Sequence, residues 1–450
     1  MTSSDSGEAR QEHAGMPVGL AKEPVSAEGL AAADQSVLAT AAPEVIADSL
    51  GEYTRIWLRR VRSGESGALP VILGLIVIVV FFQVRSSLFL SAGNLVNLMT
   101  QAAFIITFGM AEVFVLLLGE IDLSAGYLAA NGAVVTAWML SLSHPFPWWV
   151  AILAGLAFCG IWGAVQGFII TRLGLPSFIV TLAGLLGGGG LLLYLTNLAA
   201  GSGGTIRLTN NVLTDIDNSS ASLTPVAGWI LMVIAVGLGG LFMVLRDNRR
   251  RASNLAAPPA SVTLLKVAMM AVAGVVVVLI GNTNRGALVV LRGVPWVVLV
   301  ILALLIGFTI LTGRTRFGRY LYAIGGNAEA ARRAGINLSR IRILAFALCG
   351  VTAGITGIIY TSYLGSISNN FNGGQYVLYG VAAAVIGGTS LFGGRGKMLG
   401  AVLGGLIVGV IYNGLSLIGL GAAAQQMWTA LVLLAAVTVD TLARRGSART

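Results

Sequence analysis

Glu112 is the one acidic residue set well inside an apolar run of this 450-residue chain. An ionisable group there is costly to bury. Such a carboxyl is a proton or ligand site, a partner for another buried polar group, or an acid kept neutral by burial. Nothing gathers around it to make a catalyst. The two histidines are His13 and His144, and the two cysteines, Cys159 and Cys349, lie in separate apolar runs. That excludes a disulfide scaffold and a zinc cluster, and no His/Asp/Glu grouping is spaced for metal binding or acid–base catalysis. Gly396-Lys397 imitates the end of a phosphate-binding loop, but that loop needs a glycine where Leu391 stands and a hydroxyl where Met398 stands. No metal, cofactor or nucleotide is therefore expected on this chain, and it reads as a non-enzyme.

Uncharged polar side chains are the more plentiful chemistry. Asn97, Gln101, Thr107, Asn131, Gln166, Asn413, Gln425 and Gln426 lie in or beside apolar runs. They are accompanied by Phe104, Trp138, Trp162, Tyr360, Tyr412 and Trp428. Amides that bond hydroxyls, with aromatic faces against C–H surfaces, suit a neutral polyhydroxylated solute. Taken singly, each amide reads equally as a bond between helices and each aromatic as an interfacial anchor. The combination of many amides and few charges carries the reading. Asn97, Gln101, Phe104, Glu112, Asn131, Trp138, Gln166 and Asn413 are the candidate lining of a solute path.

The elements that must position these residues are membrane helices. The chain is 56% hydrophobic and 10% charged, where soluble domains are roughly 45–50% apolar and about 25% charged. The expected class is all-α: a polytopic helical membrane protein of about twelve segments with pseudo-symmetric halves. The segments fall near 69–90, 95–118, 123–141, 148–170, 177–198, 226–245, 262–280, 295–313, 341–363, 376–392, 398–420 and 424–442. The third and tenth are short enough to be re-entrant or broken. With both termini cytoplasmic, 24 of the 28 Lys and Arg fall inside, all but Arg85, Arg207, Arg285 and Arg292. The net charge of +10 is then an orientation signal, and nucleic acid is not an expected partner. Residues 1–68 hold ten of the 18 acidic residues and read as a cytoplasmic, largely disordered tail. Tyr53–Arg62 is expected to form a short amphipathic helix at the membrane surface. No signal peptide is recognisable.

The loop over 314–340 has its own helix signals. Asn327 is a cap, Glu329 lies in the first turn, Arg332 and Arg333 in the last, and Gly335 is a stop. Asn337 or Ser339 starts the next span, and Asp122 or Ser124 caps the third. The 60 glycines suit close helix crossings, as in the Gly350/Gly354, Gly400/Gly404 and Gly405/Gly409 steps. Gly187–Gly190 predicts a bend or a close crossing.

Three segments carry a family resemblance. They are Gly119-Glu-Ile-Asp-Leu-Ser-Ala-Gly, the Gly325-Gly-Asn to Gly335-Ile loop, and Ile386-Gly-Gly-Thr-Ser-Leu-Phe-Gly-Gly-Arg-Gly followed by Gly400 and Gly404. In this order and spacing the chain resembles, over about residues 70–445, the permease subunits of bacterial ABC importers for monosaccharides of the ribose, xylose and galactoside type. The extra pair of spans near 226–280, joined through Arg246–Arg251, is similar to the longer xylose-type permeases.

The resemblance implies a coupling helix that contacts an ATPase through Gly326, Asn327, Glu329, Ala330, Ala331, Arg332, Arg333 and Gly335. It implies packing or capping roles for Asp122, Ser124, Gly126, Gly387, Gly388, Gly393 and Gly394. It also implies a separate ATPase subunit with two nucleotide-binding domains, which binds the ATP and Mg. The other implied partners are an extracytoplasmic sugar-binding protein, a second permease copy forming a homodimer, a monosaccharide substrate (a pentose such as xylose) and the bilayer. The implied location is the bacterial cytoplasmic membrane. Permeases for branched-chain amino acids or nucleosides share the architecture. An ion-coupled transporter using Glu112, and a membrane-embedded enzyme, are the readings from other classes.

Overall fold

The computed structural model describes residues 69–141, 145–218, 220–253, 257–286, 288–421 and 423–428, with the single positions 51, 55, 255, 430, 431, 434 and 438. The acidic tail, the surface helix over 53–62, the end of the chain around Asp440 and much of the twelfth expected segment lie outside the described residues.

Runs of Leu, Ile, Val and Ala become helices because lipid offers no hydrogen bonds, so each backbone must satisfy itself. In chain order these are α1 (Leu69–Arg85), α2 (Ala92–Leu116), α3 (Ala125–Ser141), α4 (Trp148–Leu173) and α5 (Ser177–Ala200). After a short β1 (Thr205–Arg207) come α6 (Asn211–Asp215), α7 (Pro225–Ala252), α8 (Ala260–Asn282), α9 (Trp296–Arg314), α10 (Arg316–Gly326) and α11 (Ala328–Arg333). The series closes with α12 (Leu338–Leu364), β2 (Ser366–Ser368), α13 (Gly373–Ile386) and α14 (Met398–Leu417).

The protein is a polytopic helical membrane protein. Eight of the described helices are long and apolar enough to span a membrane, with Val71–Arg85 and Gly373–Ile386 as shorter apolar helices. This is fewer long spans than the twelve segments expected. The tenth segment is corrected most: α13 has 14 residues and covers about 21 Å at 1.5 Å per residue, short of a core about 30 Å thick. It stops at Ile386 rather than 392 because the chain turns at Gly387 and at Gly388, where φ is +88°. The third segment, α3, has 17 residues and begins only after an irregular stretch over 117–124.

α2 is the axis of the bundle. Ser91 caps it by accepting from the Asn94 N–H, and it is buried from Thr100 to Leu116. α12, α13 and α14 pack around it. Glycine sets how closely they approach: a Cβ added to Gly405 would stand 2.8 Å from the Ile106 backbone, and one added to Gly109 would stand 2.9 Å from Ala383 Cβ. α4 lies along α12 so closely that a Cβ added to Gly167 would stand 2.8 Å from the Ile343 backbone and one added to Gly354 would stand 3.0 Å from Cys159 Sγ. The four glycines of 187–190 do not interrupt α5. The alternative of a bend is thus replaced by a close crossing, with a Cβ at Gly188 meeting Tyr127 Cβ at 3.0 Å.

α7 and α8 form a hairpin that packs mainly on itself, so closely that a Cβ added to Gly240 would stand 3.0 Å from Val267 and one added to Gly274 would stand 2.8 Å from Met232. One end of the bundle, the basic end, gathers the loops over 117–124, 174–176, 257–259, 315–337 and 387–397 and most of the described arginines. The opposite end carries the short strand pair, with an isolated antiparallel bridge between Ser222 and Pro295 besides. There β1 and β2 pair antiparallel with Ile206 opposite Ile367, both buried.

Candidate functional site

At the basic end the chain builds an arm. Thr315 starts α10 by accepting from the Gly318 N–H at 3.2 Å. Its buried residues Leu321 and Ile324 pack on Leu117 and Leu118. This helix was not anticipated, although Thr315 as a cap and the i, i+4, i+7 spacing of Phe317, Leu321 and Ile324 announce it. Gly326 ends it, and Asn327 turns the chain into α11 by accepting from Ala330 N–H at 2.9 Å.

α11 closes with Gly335 N–H on Arg332 O at 3.0 Å and Ile336 N–H on Ala331 O at 3.1 Å. Those two bonds with Gly335 at φ +80° form a Schellman stop. Glu329 binds Arg332 at 2.6 Å and Arg333 at 3.1 Å. Gly326, Asn327, Glu329, Ala330, Arg332, Arg333 and Gly335 are exposed, and Ala331 is the inward anchor. Asn337, not Ser339, caps α12, accepting from Arg340 N–H at 2.9 Å.

The three glycine segments meet at the root of this arm. Gly394 N–H donates to Leu117 O at 2.9 Å. A side chain on Gly393 would strike Gly119 N and Gly325 O, both at 2.9 Å, and Gly325 itself has Leu117 O where a Cβ would stand. Gly119, Gly393 and Gly394 take φ of +78°, +85° and +73°. Tyr322 donates its hydroxyl to Gly396 O at 2.7 Å, and Arg342 binds Glu120 at 2.8 Å. The arm is thus tied to the α2–α3 loop and to the α13–α14 loop by backbone contacts that leave no room for side chains. Gly126 packs on the Gly373 backbone, and Gly387 on Gly400, in the same manner.

Just inside this junction lies a buried polar cluster. Asp122 Oδ1 accepts from the Ser124 N–H at 3.0 Å and hydroxyl at 2.6 Å, so Asp122 holds the start of α3. Burial pushes its carboxyl up to about 6, opposed by the Ser124 bonds. Burial also raises Glu120, and the Arg342 guanidinium opposes it. Gln166 lies 2.9 Å from the Ser124 hydroxyl. Glu112 is fully buried beside Asp122, and neither of its oxygens makes a hydrogen bond of good geometry within the chain. Among the described residues no group of His, Cys, Asp and Glu is arranged to hold a metal ion.

Nearer the opposite end is an uncharged cluster of amides and rings. Asn413 donates to Gln101 Oε1 at 2.9 Å and to Asn94 Oδ1 at 3.1 Å, and Gln101 donates to the Tyr363 hydroxyl at 3.2 Å. Phe104 meets Tyr360 and Tyr376 edge-on, each with centroids 5.4 Å apart. The two tyrosine hydroxyls are 3.2 Å apart. Phe371, Tyr379 and Tyr412 continue the ring cluster.

Of the candidate path residues the fold brings Gln101, Phe104 and Asn413 together here. Asn97 is on the same helix, partly buried. Glu112 and Gln166 belong to the deeper cluster. Asn131 instead joins α3 to α5 through Gly188 O at 2.8 Å, and Trp138 packs with the β1–β2 end. Asn94, Tyr363, Tyr376 and Tyr379 were not singled out from the sequence. No periodic signal marks a polar residue that faces the interior only because its neighbours fold against it.

A bundle of this kind, with a charge-poor interior and a capped loop at its basic end, is the body of a membrane permease. The profile of the branched-chain amino acid transport system/permease component family matches residues 94–439, and the chain belongs to that family. It is 35% identical over 384 residues to a xylose transport system permease protein of Escherichia coli, covering 84% of this chain and 92% of the relative. It is 36% identical over 380 residues to the xylose transport system permease protein of Haemophilus influenzae, covering 82% and 95%. A ribose import permease protein of Escherichia coli is 29% identical over 388 residues, covering 86% and 95%. No solved structure matches the chain.

Proposed function

We propose that this chain is the membrane-spanning, non-catalytic subunit of an ATP-driven importer for a neutral monosaccharide, with a pentose such as xylose as the first candidate. The observation that carries the substrate class is the cluster of Gln101, Asn413, Tyr363 and Tyr376, which offers amides, hydroxyls and ring faces and no charge. An amino-acid zwitterion would need partners for a carboxylate and an ammonium. The names of the xylose and ribose relatives support the same class.

In this reading the chain lies in the bacterial cytoplasmic membrane with both termini inside, and the positive-inside rule supports taking the basic end as the cytoplasmic one. An ATPase subunit binding ATP and Mg docks on the exposed face of α11. An extracytoplasmic sugar-binding protein delivers solute to the opposite end, and a second copy completes the pore. Movement of α11 travels through the glycine junction to the helix pairs α2–α3 and α13–α14, which shift as units between access states.

The test is ATP hydrolysis and uptake by the full-length chain reconstituted with its ATPase and binding protein in vesicles. Xylose, ribose or a related sugar should stimulate hydrolysis and accumulate. Stimulation by leucine and not by sugars would overturn the substrate class. Uptake that persists without ATP and stops with an uncoupler would replace the mechanism by an ion-coupled one through Glu112.

A further inference from the structure

The α7–α8 hairpin and its arginines play no part in the mechanism above. We propose that the pocket between the basic ends of α7 and α9 binds the headgroup of an anionic phospholipid, whose acyl chains run down the apolar cleft beneath it. The pocket has a volume of about 310 Å³ and is lined by Phe242, Leu245, Arg246, Arg249, Arg250 and Arg314. Orientation alone explains why arginines occur at this end. It does not explain why four of them, three on α7 and Arg314 more than sixty residues further along the chain on α9, line one cavity together with Phe242. The Arg314 guanidinium stands 4.7 Å over the Phe242 ring. Arg246 is paired with Asp247 at 2.8 Å, and Thr263 takes the other oxygen of that carboxylate at 2.8 Å. Among the described residues that carboxylate pairs with Arg246 and not with Arg249 or Arg314, which leaves the pocket positive charge that suits a phosphodiester.

The ligand is an amphiphile because the pocket continues into an exposed apolar stripe. Leu238, Phe242 and Leu245 recur at helical spacing on the face that carries Arg249, and Leu238 is 64% exposed. On α9, Ile310 precedes Arg314 by one turn and is 53% exposed. A free phosphate ion, or the acidic residues of segment 1–68, would satisfy the arginines and leave this stripe unused. A phospholipid satisfies both, as basic pockets between membrane helices do for anionic headgroups. Bound there, it would bridge α7 to α9 and fix a hairpin that otherwise packs mainly on itself.

Native mass spectrometry of the full chain, after delipidation and addition of phosphatidylglycerol or phosphatidylcholine with matched acyl chains, tests this. The wild type should retain phosphatidylglycerol selectively, and a chain carrying Arg249→Gln and Arg314→Gln should bind it roughly 10- to 30-fold more weakly. Replacing the same two arginines by lysine should restore part of the loss. Equal retention of the two lipids by the wild type overturns the proposal without recourse to any variant. Unchanged affinity in the folded double-glutamine variant also overturns it. So does full displacement of the lipid by equimolar inorganic phosphate, which marks an ion site. Binding that appears only after residues 1–50 are removed makes the acidic segment the native occupant and overturns it too.

Discussion

Asp122 shows how one buried carboxylate sets a pH dependence. Its carboxyl binds a proton more tightly in the folded chain, where burial pushes it from 3.8 up to about 6, than in the unfolded chain. As pH rises from 3.8 to about 6 the unfolded state ionises first, so stability falls across that window and is level above it. The cost is at most about 3 kcal/mol, from roughly two units at 1.36 kcal/mol each. Glu120, also raised, acts in the same direction. Asp122→Asn keeps an oxygen for the Ser124 bonds and removes the titration. Unfolding temperatures in detergent should therefore decline less steeply over this window for the variant. An identical slope would show that Asp122 does not carry it. The acidic type and its place before α3 were legible in the sequence, which left Asp122 and Ser124 as alternative caps. The partners were not: Gln166 is 42 positions from Ser124 along the chain, and its approach depends on how α4 crosses α3.

At the scale of elements, signals that act within a few residues are legible in the sequence and tertiary ones are not. Asn327, Glu329 and Gly335 act within a few residues, and the short helix they bound follows from capping and dipole rules alone. α10 escaped because its apolar face is only three residues long. The tenth segment was drawn too long because Leu391 and Phe392 continue its hydropathy past the turn at Gly387 and Gly388. The glycine junction was legible as three separate motifs and not as one contact. Two of its glycines make a controlled comparison. Gly393 and Gly388 have nearly equal φ, +85° and +88°, but an added Cβ meets Gly119 N and Gly325 O at 2.9 Å in the first and open space in the second. Gly388→Ala should cost about 1 kcal/mol of backbone strain. Gly393→Ala should cost about 2–4 kcal/mol and loosen the arm. Chemical denaturation of the two variants, with sugar-stimulated ATP hydrolysis as the second readout, checks this. Equal costs would mean the junction yields without resistance.

At the scale of the whole molecule, everything functional depends on which end faces the cytoplasm. The interior is nearly charge-free, so the field of the membrane acts mainly on the loops. Arg314, Arg316, Arg319, Arg332, Arg333, Arg340, Arg342 and Arg395 all belong to the basic end. The opposite end holds Arg85, Arg207, Arg285 and Arg292, and burial lowers the Arg285 guanidinium below its usual range. The chain suits a labelling test because its own cysteines, Cys159 and Cys349, are both 0% exposed. Glu329→Cys puts a thiol on the outer face of α11, and Leu288→Cys puts one at a position that is 99% exposed between α8 and α9. In intact spheroplasts a membrane-impermeant maleimide should label Cys at 288 and spare Cys at 329, and in inverted vesicles the pattern should reverse. The parent chain should stay unlabelled in both. If the maleimide reaches 329 from outside, the capped loop lies on the wrong side for a cytoplasmic ATPase. The amide and ring cluster would then lie nearer the cytoplasm, and the import reading would fail at its first step.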